Sequence, residues 1–235
     1  MSNNFFRFKQ FTVFQDHCAM KVGTDAVLLG SWVRVEKASR LLDVGCGCGL
    51  IALMAAQRSQ EGRIVAVEID GEAARPANEN VQKSPWKERI EVVNTDICDY
   101  HPDEKFDVIF SNPPYFVNSL KCPDKKRQAA RHTDSLDFDT LMCCVSSLLK
   151  VGGEFSVVIR MEAVMAMKAS AISHSLYIVR ETRVVTKNGS VAKRALLAFS
   201  NVVPEDSVTP QVLVMHSPAG GYTEEYQSVV KDFYL

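Results

Sequence analysis

The stretch FSNPPYFVN, Phe110 to Asn118, sets an amide, two prolines and an aromatic ring in succession at the end of an apolar run. Proline at 113 and 114 removes two N–H donors, fixes φ and drives each preceding residue to an extended conformation. The Asn112 side-chain carbonyl and the Pro113 main-chain carbonyl thereby become preorganised acceptors for N–H groups. Tyr115 adds a flat face on which a base can stack, a contact typically worth about 1–3 kcal/mol. Asn112, Pro113, Pro114 and Tyr115 are the candidate catalytic residues.

A second group lies earlier in the chain. The run DVGCGCGL has glycines at 45, 47 and 49, with Asp43 ahead of them. Such a loop lets backbone pass very close to a ligand at a helix N-terminus, or it meets the purely steric demand of a tight strand-to-helix turn; the loop alone leaves both open. Its G-x-G-x-G spacing is one residue tighter than the dinucleotide fingerprint. Glu68 ends the next apolar run, about twenty residues beyond the loop, where a carboxylate can accept both hydroxyl protons of a ribose. Asp96 and Ile97 end the run after that, placed for an adenine amino group and one face of its ring. Cys46 and Cys48 form a C-x-C pair, but two thiolates without a companion Cys or His are poor zinc ligands, so they read as small packing residues and no metal is expected.

The segment KCPDKKRQAARH carries Lys121, Lys125, Lys126, Arg127 and Arg131 against one acid, Asp124. Charge runs of this kind are commonly solvated loops. Its position directly after Tyr115 puts it at the rim of any pocket built there, which favours contact with phosphates.

These residues need elements to position them. Short β-rich runs alternate with helical patterns, the signature of βαβ units and a parallel sheet. Strands are expected over 40–45, 63–70, 89–96, 105–112 and 154–160, with helices over 50–59, through EAARPANENVQ, over 136–150 and around 161–173. Pro76 should mark the first turn of its helix or bend it. LYIVRETRVVT and KRALLAFSN, joined across Asn188-Gly189, predict an antiparallel pair. TPQVLVMH is a candidate extra edge strand, and TEEYQSVVKDFYL a terminal helix capped by Thr223. Ahead of all this, FTVF reads as extended and Thr24 as the cap of a helix reaching Trp32.

Composition bounds the classes. The chain has 235 residues, of which 46% are hydrophobic and 23% charged, which is enough apolar material for a sizeable core. Seven cysteines, an odd number, several within apolar runs, suggest reduced thiols and a cytoplasmic location. No signal-peptide pattern or membrane-length apolar run is read, so no membrane partner is expected. A net charge of −1 gives no global attraction to nucleic acid, and such a partner would need a local basic face.

Taken together, LDVGCGCGL and NPPY resemble the class I S-adenosylmethionine-dependent methyltransferases that act on planar amino nitrogens. FRFKQFTVFQDHCAMKVGTDAVLLGSWV, AARHTDSL and YTEEYQSVVKDFYL narrow the resemblance to bacterial tRNA(Val) (adenine-N6)-methyltransferases, which modify the adenine beside the anticodon. That resemblance implies an α/β, Rossmann-like fold in one domain, 1–235, with an extension over 1–36 and a core over 37–235. Its sheet would be mostly parallel and seven-stranded, in the order 3-2-1-4-5-7-6 with strand 7 antiparallel, and helices would cover both faces. It also implies S-adenosylmethionine as cofactor, tRNA as partner, and cofactor contacts from Lys21, Thr24, Asp25, Asp43, Gly45, Gly47, Gly49, Glu68, Asp96, Ile97 and Asn112. A sulfonium is already an activated methyl donor, so no dedicated base is assigned, to His132 or to Asp137. Methylation of a protein glutamine amide, of DNA or of ribosomal RNA are alternative activities, and a non-catalytic cofactor- or RNA-binding module is the alternative outside enzymology. Oligomeric state is not readable.

Overall fold

The computed structural model describes residues 4–15, 21–113 and 137–234. The apolar runs become central strands because both faces of a parallel sheet are covered. The elements are β1 (Phe5–Arg7), β2 (Thr12–Phe14), α1 (Thr24–Trp32), β3 (Arg40–Val44), α2 (Leu50–Arg58), β4 (Arg63–Glu68), α3 (Gly71–Gln82), β5 (Ile90–Asn94) and β6 (Phe106–Ser111). They continue with α4 (Phe138–Leu148), β7 (Leu149–Arg160), α5 (Val164–Ser173), β8 (Tyr177–Lys187), β9 (Arg194–Ser200), β10 (Gln211–His216) and α6 (Glu224–Val230).

The main sheet has the order β10-β8-β9-β7-β6-β3-β4-β5. Every pairing in it is parallel except the two made by β9. The expected seven-strand order is therefore present as β5-β4-β3-β6-β7-β9-β8. The structure adds an eighth strand, β10, beside β8. It is held there because Leu213 and Met215 bury against the same cluster as Tyr226 and Val230 of α6.

Side chains alternate between two cores. Leu41, Val108, Phe110, Val158 and Leu196 join α1, α2, α3 and α6 on one face, whereas Leu42, Ile109, Val157 and Leu197 join α4 and α5 on the other. A second, two-stranded sheet of β1 and β2 docks on the first face. The Asn80 side chain accepts from Phe14 N–H at 2.8 Å and donates to Phe14 C=O at 3.0 Å, while Lys9 N–H donates to Phe233 C=O at 2.9 Å.

Three local expectations change. Gly23, not Thr24, is the N-cap of α1, and it makes no side-chain cap. Pro76 lies inside α3 beyond its first turn, with Asp70 as the cap that accepts from Glu72 N–H. The strand read over 154–160 starts earlier, at Leu149, because a register irregularity between Phe106 and Val108 lets β7 pair from its first residue. Thr223 caps α6 as expected, accepting from Tyr226 N–H at 3.1 Å. Gly189, with φ of +76°, supplies the left-handed residue of the β8–β9 turn.

Candidate active site

Asp43, the glycine loop and Glu68 are fastened into one unit at the carboxyl ends of β3 and β4. Glu68 is 8% exposed, and its two carboxylate oxygens accept from Gly47 N–H at 2.8 Å and Asp70 N–H at 3.1 Å. Gly45, Gly47 and Gly49 all have positive φ, between 55° and 79°, and at Gly45 and Gly47 a side chain would point into open space. The loop needs glycine for its backbone shape, not for lack of room. Open space over a loop bordered by a fixed carboxylate is a cradle.

Asp43 is fully buried. One of its oxygens accepts from Ala52 N–H at 3.0 Å, and the other has no hydrogen-bond partner among the described residues. Burial, reinforced by the nearby Glu68 charge, pushes its carboxyl up to about 8. Burial thus favours the neutral acid, and an approaching positive charge would favour the carboxylate. The same burial, with Asp43 and Glu68 beside it, drives the Cys46 thiol well above its ordinary range. Cys46 and Cys48 are both buried, as packing residues would be.

The third strand end is built differently. Asp96 accepts from Cys98 N–H at 2.9 Å and so caps a short turn, while Ile97, 6% exposed, packs in the cluster that holds Val44 and Val67. Across β3, Ser111 Oγ donates to Val44 C=O at 2.8 Å and locks the end of β6 to the end of β3. Asn112 follows immediately. Its side-chain oxygen is buried with no hydrogen-bond partner among the described residues, and Pro113 beside it is buried. An amide carbonyl held this way costs about 1–3 kcal/mol unless a donor arrives.

The N-terminal candidates lie on α1 and just before it. Thr24 opens α1, and the Asp25 carboxylate pairs with the Arg194 guanidinium on β9. Lys21 is exposed, and the adjoining Val22 N–H donates to the Gln15 side chain at 2.8 Å. Pro114, Tyr115, Lys121, Lys125, Lys126, Arg127, Arg131 and His132 lie outside the described residues.

Sequence reading missed three positioning residues. Asn80, besides holding β2, donates to Cys48 C=O at 3.0 Å; its signal is a polar residue on the apolar face of α3. Asn94 donates to the carbonyls of Glu68 and Ile69 at 2.8 and 3.1 Å, fixing the turn after β4. Ser111 carried no local signal, since its partner is distant in sequence.

A mostly parallel sheet with one antiparallel strand inserted near its edge, and a glycine loop after its first central strand, define a Rossmann-like methyltransferase fold. A solved structure from Agrobacterium tumefaciens, described as a predicted O-methyltransferase, shares it with a TM-score of 0.71, over 89% of this chain and 96% of that one at 23% identity. The model of the family described as methyltransferase small domain matches residues 11–188, and the chain belongs to that family. Within it, the chain is 49% identical, over 100% of its length and 99% of the relative's, to the tRNA1(Val) (adenine(37)-N6)-methyltransferase of Bacteroides thetaiotaomicron. It is likewise 49% identical, with the same coverage, to the relative of that name from Phocaeicola vulgatus.

Proposed function

We infer that this enzyme transfers the methyl group of S-adenosylmethionine to the exocyclic N6 of adenine 37 in the anticodon loop of a valine tRNA. The observation that carries the chemistry is the buried Asn112 carbonyl at the end of β6, which has no hydrogen-bond partner among the described residues and lies one strand from the glycine cradle. The name borne by full-length relatives supports the RNA substrate.

The residues fit the cofactor. Glu68 faces the loop with both oxygens already oriented and with lone pairs left for two ribose hydroxyls. The unused Asp43 oxygen would ionise beside a positive group, and Asp96 with Ile97 would border the adenine. When bound, S-adenosylmethionine supplies an electrophilic methyl on a sulfonium.

The rest falls to the protein. Adenine N6 is a weak nucleophile because its lone pair is delocalised into the ring. Asn112 and the Pro113 carbonyl each accept one N6–H, draw the amino group out of conjugation and aim its lone pair. Holding the two reactants in line replaces an encounter with a first-order step, which is the main source of acceleration for a donor already activated. The amine becomes strongly acidic after transfer, so its proton can leave to water. In the resembling family's pattern Tyr115 would stack on the base. An anticodon loop suits this site because its unpaired bases splay out at low cost.

Residues 1–235 then act as one methyltransferase unit in the cytoplasm, with 1–36 as its extension; among the described residues no helix is long and apolar enough to cross a membrane. The test is incubation with labelled cofactor and, separately, total tRNA from a strain lacking the modification, protein extract, or DNA. N6-methyladenosine mapped to position 37 of valine tRNA is the expected product. Label confined to protein overturns the reading.

A further inference from the structure

The N-terminal hairpin turns an aromatic and cationic face to solvent. Phe5 pairs with Phe14 and Arg7 with Thr12 across β1 and β2, so these four side chains share one face of the ribbon. The hairpin docks through its other residues: Phe8, Phe11 and Val13 are buried, and Phe6 packs against the same cluster. Phe5 and Phe14 are 46% and 36% exposed, with ring centroids 6.5 Å apart at 50°. The Lys83 ammonium, at the C-terminal end of α3, lies 4.2 Å from the Phe14 ring centroid. Between the hairpin and this end of α3 runs an open groove of about 650 Å³, bordered by Gln10, Thr12, Phe14, Lys83 and Pro85.

The charges around the groove can be followed one by one. Residues 4–15 contain Arg7 and Lys9 and no Asp or Glu. Lys9 is engaged, its Nζ donating to Lys231 C=O at 2.5 Å. On α3, Glu79 lies 3.4 Å from the Arg75 guanidinium, while Asp70 and Glu72 sit at the opposite end from Lys83. In the segment after α3, Glu88 lies 4.0 Å from Lys87, and the Arg89 guanidinium donates to the carbonyls of Ala56, Ser59 and Gly62. Arg7 and Lys83, both exposed, are the cations at this face that pair with no acid among the described residues. Asn80 holds Phe14 by two hydrogen bonds and Cys48 C=O by a third. The face is thereby fixed one side chain away from the glycine loop, at the edge of the sheet where Asn112 lies.

We propose that the outer face of β1 and β2, with Lys83, is an RNA-contact surface on which Phe5 and Phe14 stack an unpaired nucleotide flanking the target adenine while Arg7 and Lys83 meet its phosphates. Rings interleaved with cations suit this ligand because every base has a face to stack and every nucleotide carries a phosphate. An apolar protein segment would use the rings and leave both cations without a role. The assignment rests on the tRNA reading above and uses residues other than the Lys121–Arg131 run.

The experiment measures binding of valine tRNA by the full-length protein at several salt concentrations. Phe5→Ala should weaken binding by about 5-fold or more at every salt concentration, the worth of one base–aromatic stack, and leave the slope of log K against log salt as in the wild type. Arg7→Gln/Lys83→Gln should instead make that slope shallower by about 1.4, at about 0.7 per phosphate contact on a single strand. Cofactor affinity by calorimetry should match the wild type in both variants. Should Phe5→Ala melt early, Phe5→Leu keeps apolar bulk, removes the ring and carries the test with the same expected loss. Unchanged affinity on loss of the ring, or an unchanged slope on loss of the two cations, overturns the surface, as does a wild type that binds no tRNA. A wild type whose tRNA binding responds to both sets of substitutions but that yields no methyladenosine overturns the activity and leaves the surface standing.

Discussion

The carboxyl edge of the sheet changes character at Asn112. On the β3-β4-β5 side it carries carboxylates, Asp43, Glu68 and Asp96, each tied by backbone N–H groups to a loop or turn. On the β7-β9-β8 side it carries Arg160, Lys187, Lys193 and Arg194, all but Arg194 exposed. The two sides suit different ligands. A small ligand bearing positive charge is best met by a few buried, oriented acceptors, whereas a large polyanion is met by spread, solvated cations that need no fixed geometry.

Replacing Asn112 by Ala tests the boundary itself and carries the largest expected effect. Turnover should fall by at least about a hundredfold, as when a preorganised polar group is removed from a reaction centre, while cofactor and tRNA binding persist in calorimetry and filter assays. Unchanged turnover would discard the acceptor role. On the acidic side, Glu68→Ala should weaken cofactor binding by about 10–100-fold and leave the salt slope of tRNA binding intact. A loss of RNA binding in that variant would dissolve the distinction between the two sides.

Asp43 sharpens the contrast through pH. Its carboxyl is held up near 8 in the folded protein against 3.8 as the ordinary value, so between those limits the unfolded chain binds fewer protons than the native one. Stability from this group is complete below about pH 4 and is lost as pH rises through about 8. Melting curves of the cofactor-free protein should show that decline, and Asp43→Asn should flatten it; an identical pH profile would mean that Asp43 is ionised throughout. The smallest effect is expected from Asn80→Ala, a loss of about 1–3 kcal/mol for its buried hydrogen bonds, read by denaturant titration, with turnover per folded molecule falling only modestly.

The ends of the central strands were legible because each apolar run ends in a glycine, acid or amide, whereas their order came from the resemblance and not from the residues. Asp43, Glu68, Asp96 and Asn112 announced four strand ends, and all four sit on one edge. What sequence hid was pairing between remote segments. The parallel seat of β10 depends on β8 presenting a free edge and α6 covering Leu213 and Met215, neither of which is visible within TPQVLVMH itself. The partner of Asp25 is 169 positions away on β9, so its ion pair with Arg194 could not be read from the residues around it. Thr24 looked like a cap by residue type, but backbone geometry assigned that place to Gly23.

Asn80 has a consequence of its own. One side chain grips both the second strand of the N-terminal hairpin and the carbonyl of Cys48, so neither can loosen without straining the same three hydrogen bonds. Opening of the hairpin and opening of the glycine loop are therefore coupled, and amide exchange at residues 5–14 should slow when the cofactor is bound.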